Sequence, residues 1–491
     1  MSEDESAGPR VTTEAVGDLP VAVQVTGHTS PLAGGGDTAW SGFTGAAGEC
    51  CVVLAEGGPE LHVGLGPEAH LDSETVHRAA RTAGRRLVQD IPADGPDLVV
   101  GVRLAADAEG SLGLLPAVGA VTAGLLEGVH SHPAADRLRL HLTELPNDPG
   151  VEAAVTEACA MAQAVGLATE LVDARANQLT PTSLAARAER LATAYGLEFS
   201  CLDEATLQEQ GLGALLSVGA GSSEPSCLVR LAYRPEPAGG DASPVALVGK
   251  GVTFDSGGLS LKDPSAMVGM HSDMAGAATV LAAMTALRGV GAEAPVVAYL
   301  PLAENLPGPG ATRPGDVVRS LSGKGIEVVD TDFEGRVLMA DALTMAAREH
   351  PALVIDVATL TYQAIIALGP EIGAVVGRDA GVAERLQAAG EQVGEAWWPL
   401  PYATRYRSQV RSVAPGADVR NHPGADSGRA ITAALFLGES VPEGIPWAHL
   451  DMAGPAMTGS GLDARATGFG VRTLIRFLSQ HSAQATVEET S

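Results

Sequence analysis

Residues 248–262 read V-G-K-G-V-T-F-D-S-G-G-L-S-L-K, and two of the chain's three lysines, Lys250 and Lys262, lie within this stretch. The third is Lys324, so that 28 of the 31 basic residues are arginine. Arginine stays protonated and has no lone pair to share. A lysine amine can lose its proton and become a ligand or a proton donor when its pKa is pushed down. The stretch grows out of an apolar run, Val245–Val248, and turns through Gly249, Gly251, Gly257 and Gly258, which permit close backbone approach. Pro295–Leu300 and Leu353–Ala358 are further apolar runs of strand length, while Ala275–Leu287 and Val337–Arg348 are helical stretches able to cover them. Buried strands separated by helices predict an α/β catalytic domain with a mostly parallel central sheet.

Upstream, Thr180 reads as an N-cap, Pro181 as the first helical residue and Gly196 as the stop. Further back, Val21–Val25, Cys51–Leu54 and Leu98–Val102 alternate with Ala-rich helical stretches and predict a smaller N-terminal α/β domain. The cluster P-N-D-P-G at 146–150 breaks the pattern. The expected organisation is a disordered tail over 1–17, the N-terminal domain over 18–150, a linker helix over 151–170 and the catalytic domain over 171–491.

A formal net charge of −28 repels nucleic acid and anionic membrane surfaces. Aromatics are only 3%, so the core must be built from Ala, Val and Leu. Cys50, Cys51, Cys159, Cys201 and Cys227 show no CxxC or Cys/His spacing and read as reduced residues of a cytoplasmic protein. The acidic N-terminal stretch lacks a secretory signal pattern, and no apolar run suggests a membrane span.

Acidic residues concentrate in the loops beside the predicted strands: Asp255, Asp273, Asp332 and Glu334. Three aspartates, a glutamate and Lys250 make a hard, oxygen-rich set for two divalent cations, which bridging carboxylates hold about 3.5–4 Å apart. Beside two dications a lysine amine is driven toward its neutral form. Lys262 and Arg336 would remain cationic and face an oxyanion or a bound anion. Any one of these signals alone is weak, since an isolated D-x-E is more often a solvated turn. His271 and His449 are assigned no metal: His271 is expected at the surface or pocket edge, and His449 to satisfy a buried hydrogen bond. G-K-G lacks the spacing of a phosphate loop.

Together with S-D-M-A-G-A-A (272–278), E-N-L-P-G-P-G-A-T-R-P-G-D-V (304–317), D-T-D-F-E-G-R (330–336), D-V-A-T-L-T (356–361) and W-A-H-L-D-M-A-G (447–454), the stretch resembles the leucyl aminopeptidase family of two-metal exopeptidases over about 171–491. The resemblance implies that Lys250, Asp255, Asp273 and Glu334 hold the metal that receives the substrate amine. Asp255, Asp332 and Glu334, with the Asp332 carbonyl, hold the other; the metal is zinc or manganese, with magnesium a further candidate. Lys262 and Arg336 fall on the catalytic lysine and arginine, the latter with a bicarbonate as proton acceptor. The resemblance further implies peptide or aminoacyl substrates and a homohexameric assembly.

Four positions depart from the family pattern: Asp330 for Asn, Phe333 for Ala, Tyr362 for Gly and Arg429 for Gly. By resemblance Asp330 and Phe333 line the leaving-group side, while Met270, Thr359, Leu360 and Tyr362 line the pocket for the N-terminal side chain. Two small residues have become aromatic, which predicts a narrowed pocket unless neighbouring side chains compensate. Two alternatives to a general aminopeptidase follow: a specialised amidase or dipeptidase acting on a peptide-like metabolite, and a catalytically impaired binding or scaffold homologue. Retention of every ligand position argues against the scaffold, and a substrate panel separates all three.

Overall fold

The computed structural model describes residues 10–12, 21–29, 44, 46–55, 58–89, 91–92, 94–235 and 242–481. The chain forms two compact units: residues up to Gly166 with Gln392–Gly394, and Leu167–Glu391 with the residues from Glu395 onward.

In the first unit six strands run in the order Arg10–Thr12, Leu138–Leu142, Leu98–Val102, Val21–His28, Gly58–Gly64, Cys50–Ala55. All neighbours are parallel except the last pair. Arg10–Thr12 lie inside the stretch expected to be disordered; paired with Arg139–His141, their backbone gains a ladder that their polarity did not advertise. The rest of that tail lies outside the described residues. Helix Pro149–Asp173 continues past the breaker cluster, and the division between the units falls within it. Its length and mean hydropathy reach those of a membrane span, but Glu and Thr interrupt the apolar residues and 56% of its most apolar window is buried within the protein, as in a core helix of a soluble protein.

The second unit is built on a nine-stranded mixed sheet. Its path is Trp397–Pro399, Gly373–Gly377, Trp447–Asp451, Leu353–Ala358, Val245–Gly249, Val296–Asn305, Cys227–Tyr233, Glu198–Leu202. The four central strands are parallel. Buried on both faces, they read as continuous apolar runs such as V-A-L-V-G, with no alternation. Val296–Asn305 runs five residues beyond the predicted end because its polar tip is satisfied in place: Ser222 donates to Glu304 at 2.6 Å. That extension pairs in parallel with Gly251–Asp255, bringing Asp255 opposite Asn305.

Helix Ala275–Ala286 is buried on every side, and its alanines let it lie close to the sheet. Helix Pro181–Tyr195 opens on Thr180 in a capping box with Ser183 and closes at Gly196 in the left-handed conformation. Helix Glu334–Arg348 begins three residues before its apolar period suggested, with Glu334 in its first turn. Asp341, midway along it and fully buried, accepts the backbone N–H of Leu215 at 2.9 Å and of Leu321 at 2.7 Å. Asp341→Ala should therefore lower unfolding stability by about 2–4 kcal/mol in denaturant titration, since it strands two buried donors. A variant as stable as the parent would show that the helix is held without this carboxylate.

Candidate active site and metal centre

The central parallel strands end on one side of the sheet, and the residues that follow their carboxyl ends line one cleft, the position a parallel α/β sheet offers to ligands. Lys250 follows Val245–Gly249, Asp255 closes Gly251–Asp255, Thr359 and Leu360 follow Leu353–Ala358, and Asp451 ends Trp447–Asp451. Asp273 caps the short 3-10 turn Met270–Ser272.

Lys250 is wholly buried, with Nζ 2.8 Å from Asp273 Oδ2 and 2.7 Å from Glu334 Oε1. Its amine passes so close to the first turn of helix Glu334–Arg348 that a Cβ on Gly335 would lie 2.5 Å from it, so any side chain there would displace the amine from its place. Asp255, Asp273 and Glu334 each offer a carboxylate oxygen within 4.8 Å of the others. Gly257 and Gly258, at φ +85° and +64°, reverse the chain after Asp255. Lys262 N–H then donates to the Ser256 carbonyl at 2.9 Å, and Lys262 Nζ returns to 2.9 Å from Asp255 Oδ2 and against Asp332 Oδ1.

The carboxylates are aimed by neighbours. Asp255 Oδ1 accepts from Gly257 N–H and Asn305 Nδ2, each at 2.8 Å. Thr359 Oγ1 donates to Asp273 Oδ1 at 2.9 Å. Asp273 Oδ2, Asp332 Oδ1 and Glu334 Oε1 are held by the lysine amines.

Burial dominates the electrostatics. It drives the Asp273 carboxyl well above the usual carboxylate range, raises Asp255 and pushes Asp332 up to about 7, each reinforced by the neighbouring carboxylates. Glu334 ends below its ordinary value: burial pushes it up, but Lys250 and Lys262 pull it down further. Burial works against the charge of both lysines, yet the surrounding carboxylates outweigh it and raise both. Three buried carboxylates and the half-buried Asp332 outnumber the two lysines, and the crowding that raises the carboxyl pKa values is what divalent cations would relieve. This donor set, hard oxygens plus one amine, fits such ions.

Arg336 is buried without a carboxylate at ion-pair distance among the described residues. Its Nη1 donates to the Asn421 carbonyl at 2.9 Å, and burial lowers its pKa to about 10. Phe333 lies between cations, with Arg336 4.8 Å and Arg429 5.4 Å from its ring centre and His422 edge-on at 4.5 Å.

The cleft has a volume of about 350 Å³, and its walls include every site residue singled out from the sequence except Asp330. Asp330 was expected on the leaving-group side, but its Oδ1 turns back to accept the Asp332 N–H at 2.9 Å and shapes the loop. Tyr362 was expected to fill the pocket and stands at the mouth, 69% exposed; the short helix Tyr362–Leu368 carries it outward beside Ile366, one turn on. His271, expected at the surface or pocket edge, is buried with Nε2 3.4 Å from Arg175 Nη1. His449 does satisfy a buried hydrogen bond, with Asp356 at 2.5 Å.

Two residues escaped the sequence reading. Asn421, fully buried, accepts the Val329 N–H through Oδ1 and donates from Nδ2 to the Asp330 and Phe333 carbonyls, gripping the loop that carries Asp332. Asp451 receives Leu360 N–H and Thr361 Oγ1, fixing the 359–361 wall. Asp451 stands in the quoted W-A-H-L-D run, but Asn421 had no local signal.

A buried carboxylate–lysine cluster at the carboxyl ends of a parallel sheet defines the class of metal-dependent peptide hydrolases. The chain belongs to the cytosol aminopeptidase family, whose catalytic-domain model matches residues 166–475. It is 41% identical over 459 residues to a probable cytosol aminopeptidase of Syntrophotalea carbinolica, covering 89% of this chain and 90% of that one. It is 40% identical over 468 residues to one from Streptomyces griseus, covering 90% and 89%. Among solved structures it is similar to the bottromycin maturation enzyme BotP in complex with Mn (TM-score 0.83, 38% identity, 94% of this chain and 99% of that). A tomato leucine aminopeptidase mutant matches at TM-score 0.82 and 29% identity, over 98% of each chain. The protein is a metal-dependent aminopeptidase that binds divalent metal.

Proposed function

We propose that two divalent cations occupy the cleft. Lys250, Asp255, Asp273 and Glu334 would hold one; Asp255, Asp332 and Glu334, with the Asp332 carbonyl, would hold the other. The convergence of Asp255, Asp273 and Glu334 oxygens within 4.8 Å supports this reading most directly. Manganese, zinc or magnesium suits an oxygen-rich set, and manganese is the ion of one similar structure. When bound, such ions polarise a carbonyl and bring the pKa of water from about 15.7 toward ~7. Lys262, beside Asp255 and Asp332 and 14% exposed, is placed to donate to an oxyanion developing at the scissile carbonyl. Arg336, a buried cation with no acidic partner among the described residues, suits a bicarbonate that accepts the proton. On this reading the enzyme is a cytoplasmic homohexamer releasing N-terminal residues from peptides.

Chelation followed by metal add-back, assayed on aminoacyl amides and dipeptides, tests it. Activity should vanish and return with two equivalents of cation per subunit. Full activity in the chelated protein would end the proposal.

A specialised peptide amidase is a second reading. It is favoured by Phe333, which lines the cleft and by the family resemblance falls on the leaving side, and by the similarity to BotP. Phe333→Ala should raise kcat/KM for bulky leaving residues by about tenfold, the scale of hydrophobic-pocket discrimination. Tyr362→Gly, at an exposed position, should change the leucyl-to-alanyl ratio by no more than about threefold, because little burial is at stake. A reversed ranking of these two effects would place the selective wall at the mouth.

A further inference from the structure

The cleft is acidic at one end and cationic at the other. Around Phe333 stand two guanidinium groups, and they are held differently. Arg336 lies in the interior with its Nη1 on the Asn421 carbonyl. Arg429 opens helix Arg429–Gly438 and lines the cleft itself, its side chain 19% exposed. Nε donates to the Ala425 carbonyl at 3.0 Å and Nη2 to Asp426 Oδ1 at 2.6 Å. Nη1 has no hydrogen-bond partner among the described residues. The Asp426 carboxylate is fully exposed, so the pair is water-screened and neutralises the guanidinium weakly. The guanidinium lies over the ring of Phe333, its carbon 5.4 Å from the ring centre, which holds the group without consuming its donors.

A guanidinium held by one backbone carbonyl and one exposed carboxylate, with a donor nitrogen to spare, is equipped to take a planar two-oxygen anion. We infer that Arg429 is a specificity-determining residue that binds a carboxylate on the leaving residue of the substrate. This rests on the reading above, in which Phe333 marks the leaving side of the scissile bond. That carboxylate has two sources, the free C-terminus of a dipeptide or an acidic side chain on the second residue of a longer peptide. Both present the same two oxygens. By resemblance Arg429 stands where the family pattern has a glycine and Phe333, which braces it, where the pattern has an alanine.

The test is a ratio of kcat/KM values on the metal-loaded enzyme. Ala-Ala against Ala-Ala-amide reports the terminal carboxylate, and Ala-Glu-amide against Ala-Gln-amide reports the side chain. One of the two ratios should exceed unity by roughly ten- to a hundredfold, the worth of a charge-assisted hydrogen bond. In Arg429→Gln that ratio should collapse toward one, and Arg429→Lys should recover part of it. Asp426→Asn, which removes the competing negative charge from beside the guanidinium, should raise the ratio, a change opposite in sign to any loss from a disturbed loop. Ratios near one in the parent enzyme, or a ratio indifferent to both Arg429→Gln and Asp426→Asn, would overturn the inference. Failure of every peptide to be cleaved by the metal-loaded parent would instead strike the underlying reading of the site.

Discussion

Asp255→Ala should abolish hydrolysis and leave the protein short of divalent cation. Asp255 stands between the two halves of the cluster: its oxygens are near those of Asp273 and Glu334, and Oδ2 meets Lys262, which also meets Asp332. Its removal takes a shared ligand from both proposed cation positions. The fall in turnover should exceed about 10³, more than the loss of a single oxyanion donor costs, because the source of hydroxide goes with it. The same substitution strands Gly257 N–H and Asn305 Nδ2, both of which donate to Oδ1, so some stability is lost as well. Asp255→Asn separates the two effects. Its amide oxygen can still accept both donors, whereas its NH₂ group would face Lys262 and offer no ligand. Metal analysis after dialysis, beside kcat/KM and a thermal melt, reads all three quantities. An active, metal-replete Asp255→Ala protein would remove the dinuclear assignment.

The parallel core of the catalytic unit was legible because its strands are buried on both faces and therefore spelled out as uninterrupted apolar runs, Leu353–Ala358 matching residue for residue. The extension of Val296–Asn305 was hidden, since Glu304 and Asn305 read as loop until their partners across the fold are known. The same limit explains Arg10–Thr12, whose pairing depends on a strand more than a hundred residues away. The chemical cluster showed in sequence through residue type, two rare lysines among spaced carboxylates, and the fold brings all of them to one cleft. What did not show was orientation. Asp330 and Tyr362 occupy the expected positions on the chain, yet one bends back to its own loop and the other is swung outward by a helix start at Thr361. Asn421 was invisible because its role lies in reaching 85–92 residues back along the chain to the 329–336 segment.

The two lysines, alike in the sequence, should respond differently to the same conservative change. Lys262→Arg retains the positive charge but spreads it over a planar fork that cannot enter the space between Asp255 and Asp332 as a compact ammonium does. The donor to the oxyanion is then displaced, and turnover should fall by roughly 10²–10³ with metal content unchanged. Lys250 is enclosed by Asp273, Glu334 and the backbone of Gly335, where a Cβ would already lie 2.5 Å from Nζ. A guanidinium has neither the room there nor a lone pair to give. Lys250→Arg should therefore lose bound cation first and activity as a consequence, with partial rescue at high metal concentration. Lys250→Met, which lacks charge and a nitrogen ligand but keeps an unbranched stem, should also lose cation. This distinguishes a missing ligand from a crowded guanidinium. Titrating cation into each variant by calorimetry while following turnover separates the roles. Equal metal affinity in Lys250→Arg and Lys262→Arg would show that Lys250 is not a ligand and that the pair shares some other task.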